Sequence, residues 1–252
     1  MPIRVERRGQ VSWIVIDRED KGNSLDYEHA LQLARAIRGE CSYSDTSVVA
    51  LRGAGTRFFS TGVDLGSVAQ LRGADDAIRL MVEGLGEVCR SVTSCNKPFI
   101  AAVNGHAVGI GFEIVIASDI AFAVRGDKMG SPAVKWGMVP PASTTIGQYV
   151  LGPKIASYIV LTGDLLTSEE LYRLGGLSGI VDNVEELVDV VERTAEKISA
   201  NSRWAVREAL RVMRASRPHN ITEIGLRALV LSAARTETVE RAGSFLERKG
   251  KK

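Results

Sequence analysis

From the N-terminus to about Gly137, short strand-like apolar runs alternate with helical patterns; beyond that point the alternation stops. Ile3-Arg-Val-Glu-Arg7, a turn at Gly9 and Val11-Ser-Trp-Ile-Val-Ile16 read as an antiparallel hairpin. Asp26 caps a helix expected to stop near Gly39, with Leu31, Ala34 and Ile37 at spacings near three. Ser47-Val-Val-Ala-Leu-Arg52 is a buried-strand run that ends in Gly53-Ala-Gly-Thr56. A helix is expected from Asp75 to Val92, then a strand over Pro98–Val103, a glycine-rich turn, another helix, and a strand over Asp119–Val124. Helical segments follow at 151–161, 168–175, 184–200, 202–216 and 220–248, and only Gly179-Ile-Val-Asp182 looks extended. Alternation followed by helices alone predicts an α/β core with a helical C-terminal region.

Charge and cysteine usage narrow the functional classes. Lys+Arg number 32 against 30 Asp+Glu in 252 residues, a net of +2, which gives no basic face for nucleic acid. Charges interrupt every apolar stretch well before the roughly 18 residues of a membrane-spanning helix. The charged start, Met1-Pro-Ile-Arg-Val-Glu-Arg-Arg-Gly9, lacks the apolar region of a secretory signal. Cys41, Cys89 and Cys95 are odd in number and at no metal-ligand spacing, so they are expected to be buried thiols in a reducing, cytoplasmic compartment. His29, His106 and His219 are far apart, and no metal is expected.

Two glycine-bearing loops, each after a strand run, carry the chemistry. Gly105-His-Ala-Val-Gly109-Ile-Gly111-Phe-Glu113 opens a helix, but the third glycine of a dinucleotide fingerprint is replaced by Ile114. What remains is a helix N-terminus with unpaired, positively polarised N–H groups, an anion receptor made of backbone. Arg57-Phe-Phe-Ser-Thr61-Gly62-Val-Asp64-Leu65 is a second such loop. Either alone reads equally as an ordinary strand-to-helix connection. Together, two N–H donors aimed at one oxygen would form an oxyanion hole.

The ordered motifs resemble the crotonase family, the enoyl-CoA hydratase/isomerase superfamily. Arg18-Glu-Asp-Lys-Gly-Asn23-Ser-Leu25-Asp26 resembles its R-P-x-x-x-N-A-L loop, with Glu19 in place of Pro. Phe59-Ser-Thr61-Gly62-Val-Asp64-Leu65 resembles F-x-A-G-A-D-L, and Lys97–Glu113 followed by Ser118-Asp119 resembles K-P-x-I-A-A-V-x-G-x-A-x-G-G-G-x-E…C-D. Gly137-Met-Val-Pro140, Leu161-Thr-Gly163, Gly176–Val181 and Ser244–Lys249 match later family segments. The resemblance implies a spiral of ββα turns over residues 1–195 and a helical trimerisation region over 196–252, assembled as a homotrimer or dimer of trimers. It implies an acyl-CoA substrate, with coenzyme A as part of that substrate and no further cofactor. The oxyanion donors would be the Thr61 and Ile110 amides. Lys21, Asn23, Ser24, Leu25, Gly62, Val63, Asp64, Leu65, Gly109, Pro132 and Ala133 would line the CoA and acyl pocket, with Lys249 near a CoA phosphate.

One departure matters. Hydratases of this family use two glutamates; Glu113 matches the first, and Ala133, after Pro132, stands at the second. Glu113 reads as an acid/base or, alternatively, as a solvated acid on a helix N-terminus. Ser131, Lys135, Ser143 and Tyr149 are the polar groups nearby in sequence that could compensate. Pro141 replaces a family glycine and removes an N–H, His106 reads as packing, and Trp136 is either an acyl-pocket wall or core or interface packing. The implied activity is hydratase/isomerase chemistry through a thioester enolate. Hydrolysis, decarboxylation or C–C cleavage on the same scaffold is the alternative, and a non-catalytic binding role a third.

Overall fold

The computed structural model describes residues 2–216 and 221–250, with the side chains at 221, 222, 249 and 250 left undescribed. The expected hairpin is present: β1 (Ile3–Arg8) pairs antiparallel with β2 (Val11–Ile16) in the register Ile3↔Ile16. Eight further strands follow, β3 (Val48–Gly53), β4 (Phe58–Ser60), β5 (Phe99–Val103), β6 (His106–Val108), β7 (Ile120–Val124), β8 (Lys128–Gly130), β9 (Leu166–Thr167) and β10 (Gly179–Val181). They form one sheet in the order β1-β2-β3-β5-β7-β10 and a second in the order β4-β6-β8-β9. Among the described residues only the β1–β2 and β8–β9 pairs are antiparallel.

The connection between the sheets is repetitive. After β3, β5 and β7 the chain crosses to lay down β4, β6 and β8 in the second sheet, then turns helical. This is the expected α/β spiral of ββα turns. Because β4, β6 and β8 are parallel neighbours, the segments that leave their C-terminal ends emerge side by side.

The apolar runs of the first sheet are continuous because both of its faces are covered. Ile14, Leu51, Ala101 and Val103 point into the larger core, beneath the helix Tyr27–Ser42 and the helices that follow β4 and β6. Trp13, Ala50, Ile100 and Ala102 face the other way, against Leu187, Val191 and Ala195 of the helix Val184–Ser199.

Three elements differ from expectation. Asp26 does cap the first long helix, its carboxylate accepting from His29 N–H, but the helix runs past Gly39 to Ser42. Gly39 meets open space there, so nothing forces a stop. The helix expected over 75–92 runs through Ala74–Ala77, Ile78–Gly86 and Glu87–Thr93, and its middle part is π-helical, a distortion that recurs at functional sites. The C-terminal segment divides into Ile221–Ala233 and Thr236–Gly250, which fold back so that Leu226, Leu229, Ala233 and Ala242 join the main core. The helix Arg203–Ala215 keeps Trp204, Val212 and Met213 exposed.

The reading of three free thiols is corrected. Cys41, at the end of the first long helix, is bonded to Cys95 before β5, with Cα atoms 5.3 Å apart; Cys89 alone is a free, buried thiol. A pairing across 54 residues leaves no local signal in the sequence. Closing a loop of this length is expected to stabilise the fold by about 4 kcal/mol through the unfolded state. Reduction, or Cys95→Ser, should therefore lower the midpoint of denaturant unfolding. An unchanged midpoint would show that the bond contributes nothing.

Candidate active site

The loops that leave β4 and β6 touch through two glycines. Gly62 has φ +103°, and a Cβ there would lie 3.1 Å from Val108 O and 3.4 Å from Ile110 N. Gly109 has φ +57°, and its Cβ would lie 3.4 Å from Gly62 Cα. Both positions need a residue free to adopt positive φ and thin enough for backbones to meet.

Accounting for the amides of these loops identifies the free donors. Thr61 N–H donates to Gly22 O at 3.0 Å, Gly62 N–H to Ser60 Oγ at 3.2 Å and Asp64 N–H to Leu25 O at 2.9 Å. In the second loop, Gly109 N–H donates to Gly130 O at 3.0 Å and Glu113 N–H to Gly109 O at 2.9 Å. Val63 N–H and Ile110 N–H have no partner among the described residues, nor have the amides of Leu65, Gly111 and Phe112 further along each segment; Val63 and Ile110 are the ones that adjoin the Gly62–Gly109 contact. Ile110 opens the helix Ile110–Ala117, so its N–H is one of the polarised orphans of a helix N-terminus. The expectation for Thr61 is thus corrected. Its amide is consumed by the Lys21–Leu25 loop, which pairs with this segment through the Leu25–Val63 bridge, and the unpartnered amide next to Gly62 is that of Val63.

A cavity of about 970 Å³ opens at this junction. Lys21, Ser24, Thr61, Gly62, Val63 and Asp64 line it, as do Leu65, Gly109, Ile110, Glu113, Pro132 and Ala133. Asn23 and Leu25, expected on the same wall, stand behind it. Leu25 is fully buried core. Asn23 donates to Ala54 O and Phe58 O while accepting from Arg18 N–H, which pins the loop to the β3–β4 turn. Asp64 caps the short helix Leu65–Ala69 by accepting from Gly66 N–H at 2.8 Å. Lys249 belongs to the last helix, but its side chain lies outside the described residues.

Glu113 sits on the first turn of its helix and is 2% exposed, so it is no solvated helix acid. Its carboxylate accepts from Ala142 N–H, from Ser143 N–H at 3.0 Å and from Ser143 Oγ. Burial pushes its pKa up; the Ser143 hydroxyl, the Ser143 and Ala142 amides and the neighbouring Ser131 hydroxyl pull the other way. Pro141 explains this clamp. At the start of the Pro141–Thr144 helix a missing N–H costs nothing, and the next two amides turn toward Glu113.

Of the groups that could stand in for the second carboxylate, Ser143 is engaged with Glu113 and Ser131 lines the cavity. Lys135 pairs with Asp164 at the surface and Tyr149 is exposed, so neither reaches the site. His106 packs edge-to-face on Phe58 and pairs with Asp127 at 2.9 Å, in keeping with a packing role. Trp136 lines the cavity and also packs on Phe245 with ring centroids 4.9 Å apart.

Sequence reasoning missed the apolar far wall, built by Met81, Leu85, Met138, Leu226, Leu229 and Phe245 from four separate segments. It also missed the Ala142 and Ser143 amides, although Pro140-Pro141-Ala-Ser is a recognisable helix start. Cys89 lies on the same wall, its thiol pushed up to about 12 by burial and by the charge of Glu113, too high for a nucleophile. The cavity therefore brings the unpaired Val63 and Ile110 amides together with one buried carboxyl, that of Glu113.

Comparison with known proteins gives the family. The profile of the enoyl-CoA hydratase/isomerase family matches residues 6–251. A carnitinyl-CoA dehydratase of Salmonella arizonae is 30% identical over 223 residues, 88% of this chain and 83% of that protein. The crystal structure of an enoyl-CoA hydratase/isomerase from Xanthobacter autotrophicus Py2 superposes with a TM-score of 0.85 at 26% identity, covering 99% of this chain and 94% of that one. An enoyl-CoA hydratase from Bacillus halodurans shares the fold with a TM-score of 0.88 at 24% identity, over 97% of this chain and 100% of that one. The motifs, the spiral of ββα turns and a family match spanning almost the whole chain converge: the chain belongs to the enoyl-CoA hydratase/isomerase (crotonase) family of acyl-CoA enzymes.

Proposed function

We propose that this protein adds water to, or removes it from, the α,β-bond of an acyl-CoA thioester. The observation that carries the reading is Glu113 buried in the same cavity as the unpaired Val63 and Ile110 amides. With the thioester oxygen between those amides, loss of the α-proton leaves an enolate whose charge they stabilise more strongly than the neutral carbonyl. The Glu113 carboxylate takes the α-proton and, as the carboxylic acid, returns it to the departing β-hydroxyl. Water leaves, the C=C bond forms and the carboxylate is regenerated; hydration is the reverse. The apolar far wall favours an uncharged acyl group, while exposed Glu19, Asp20, Lys21 and Arg57 form the charged part of the lining, suited to the polar CoA portion. The dehydratase named among the relatives supports the same reaction class.

Ala133 favours a second reading, in which the enolate serves hydrolysis, decarboxylation or C–C cleavage, because this wall of the cavity supplies no second acid. Loss of the conjugated thioester absorbance with crotonyl-CoA separates the two. The first reading expects hydration, and Ala133→Glu should raise its rate. No hydration by either form, with turnover of another acyl-CoA, would replace the first reading by the second.

A further inference from the structure

Ser131 stands where β8 gives way to the 3₁₀ turn Pro132–Trp136, a position at which serine ordinarily turns its hydroxyl onto backbone N–H groups ahead. Here no such bond forms. The residue is 1% exposed, and its Oγ is within hydrogen-bond geometry of no group among the described residues, although it lies near enough to the Glu113 carboxylate to hold that pKa down. A buried hydroxyl without a partner is costly to a fold and calls for an explanation. Ser131 lines the cavity that holds Glu113 and Ile110, so a ligand seated there would lie beside this buried residue.

The second sheet fixes its position. Val108 of β6 pairs with Gly130 of β8, and Gly109 N–H donates to Gly130 O at 3.0 Å. Ser131 therefore leaves its strand alongside the loop that presents the Ile110 amide. The carboxylate oxygens of Glu113 are already occupied by the Ala142 and Ser143 amides and the Ser143 hydroxyl, which limits what Glu113 alone can orient. Ala133, two residues on, contributes no polar group at all.

We propose that Ser131 Oγ hydrogen-bonds the oxygen on the β-carbon of the acyl group, either the hydroxyl lost or the water added, and holds it against Glu113. The assignment rests on the hydratase/dehydratase reading above. A neutral hydroxyl orients that oxygen without titrating, so the proton traffic stays on Glu113.

The test compares 3-hydroxybutyryl-CoA with butyryl-CoA, which lacks the β-oxygen, by calorimetry in a Glu113→Gln background where turnover is suppressed. Adding Ser131→Ala should cut the preference for the hydroxylated ligand by roughly 3–10-fold and leave butyryl-CoA affinity unchanged, and Ser131→Thr should restore the preference. With Glu113 intact, Ser131→Ala should lower kcat/KM for crotonyl-CoA hydration by about tenfold, the size of one lost hydrogen bond. An unchanged preference, or equal loss of affinity for both ligands, overturns the proposal while leaving the hydratase reading in place. If no form of the protein hydrates crotonyl-CoA but the preference still depends on Ser131, the contact stands and the hydratase reading falls.

Discussion

Glu113→Gln is expected to lower kcat/KM for crotonyl-CoA hydration by about 10²–10⁴-fold, the usual contribution of a positioned acid/base. Glutamine has the shape of glutamate, and its amide oxygen can still accept from the Ala142 and Ser143 amides while the rotatable Ser143 hydroxyl accepts from its NH₂ group. The variant should therefore fold and bind saturated acyl-CoA normally, so the loss falls on kcat. The pH dependence carries the same assignment. Burial raises the Glu113 pKa, so activity that needs the carboxylate should fall with decreasing pH through an inflection above the ordinary carboxylate value. That limb should disappear in the variant. Stability runs the opposite way: a carboxyl whose pKa is raised by folding contributes stability at low pH that is lost as pH rises through the folded value. At neutral pH the glutamine variant is thus expected to be at least as stable as the parent, which thermal unfolding at matched pH would check. Hydration that survives the substitution would remove Glu113 from the mechanism.

The second large effect isolates a backbone donor. Ile110 is the first residue of its helix, where proline fits the required φ and the only hydrogen-bonding group it deletes is an N–H that the helix does not use. Ile110→Pro should lower kcat by about 10²–10³-fold, equivalent to roughly 2.7–4 kcal/mol of transition-state stabilisation. Ile110→Ala removes more side chain but keeps the amide, and it should retain activity within about tenfold. If the two substitutions cost the same, the Ile110 side chain, and not its amide, supports turnover.

The parts legible in the sequence are those whose physics is local. Val11–Ile16 reads as a strand because both of its faces are buried, and Asp26 reads as a cap because its side chain serves an amide three residues on. The glycines at 62 and 109 read as parts of turns that present backbone amides, and the motifs around them carried the family resemblance; that the two turns touch at these glycines is a tertiary result. The strands β4, β6, β8 and β9 have two or three residues each, too few for any periodicity to show. The choice of Val63 over Thr61 depends on a pairing with the Lys21–Leu25 loop some 40 residues earlier, which no local pattern encodes. The Cys41–Cys95 bond and the wall shared by Leu85, Leu226 and Phe245 are likewise long-range products of the spiral.

The central claim is that the amides of Val63 and Ile110 polarise one thioester oxygen. Infrared difference spectroscopy of a bound acyl-CoA labelled with ¹³C at the thioester carbonyl reads that contact without requiring turnover. The account predicts a carbonyl stretch shifted to lower frequency on binding to the parent protein, a similar shift in Glu113→Gln, and a clearly smaller one in Ile110→Pro. A bound carbonyl that vibrates as it does in water, or one equally shifted in Ile110→Pro, would contradict it.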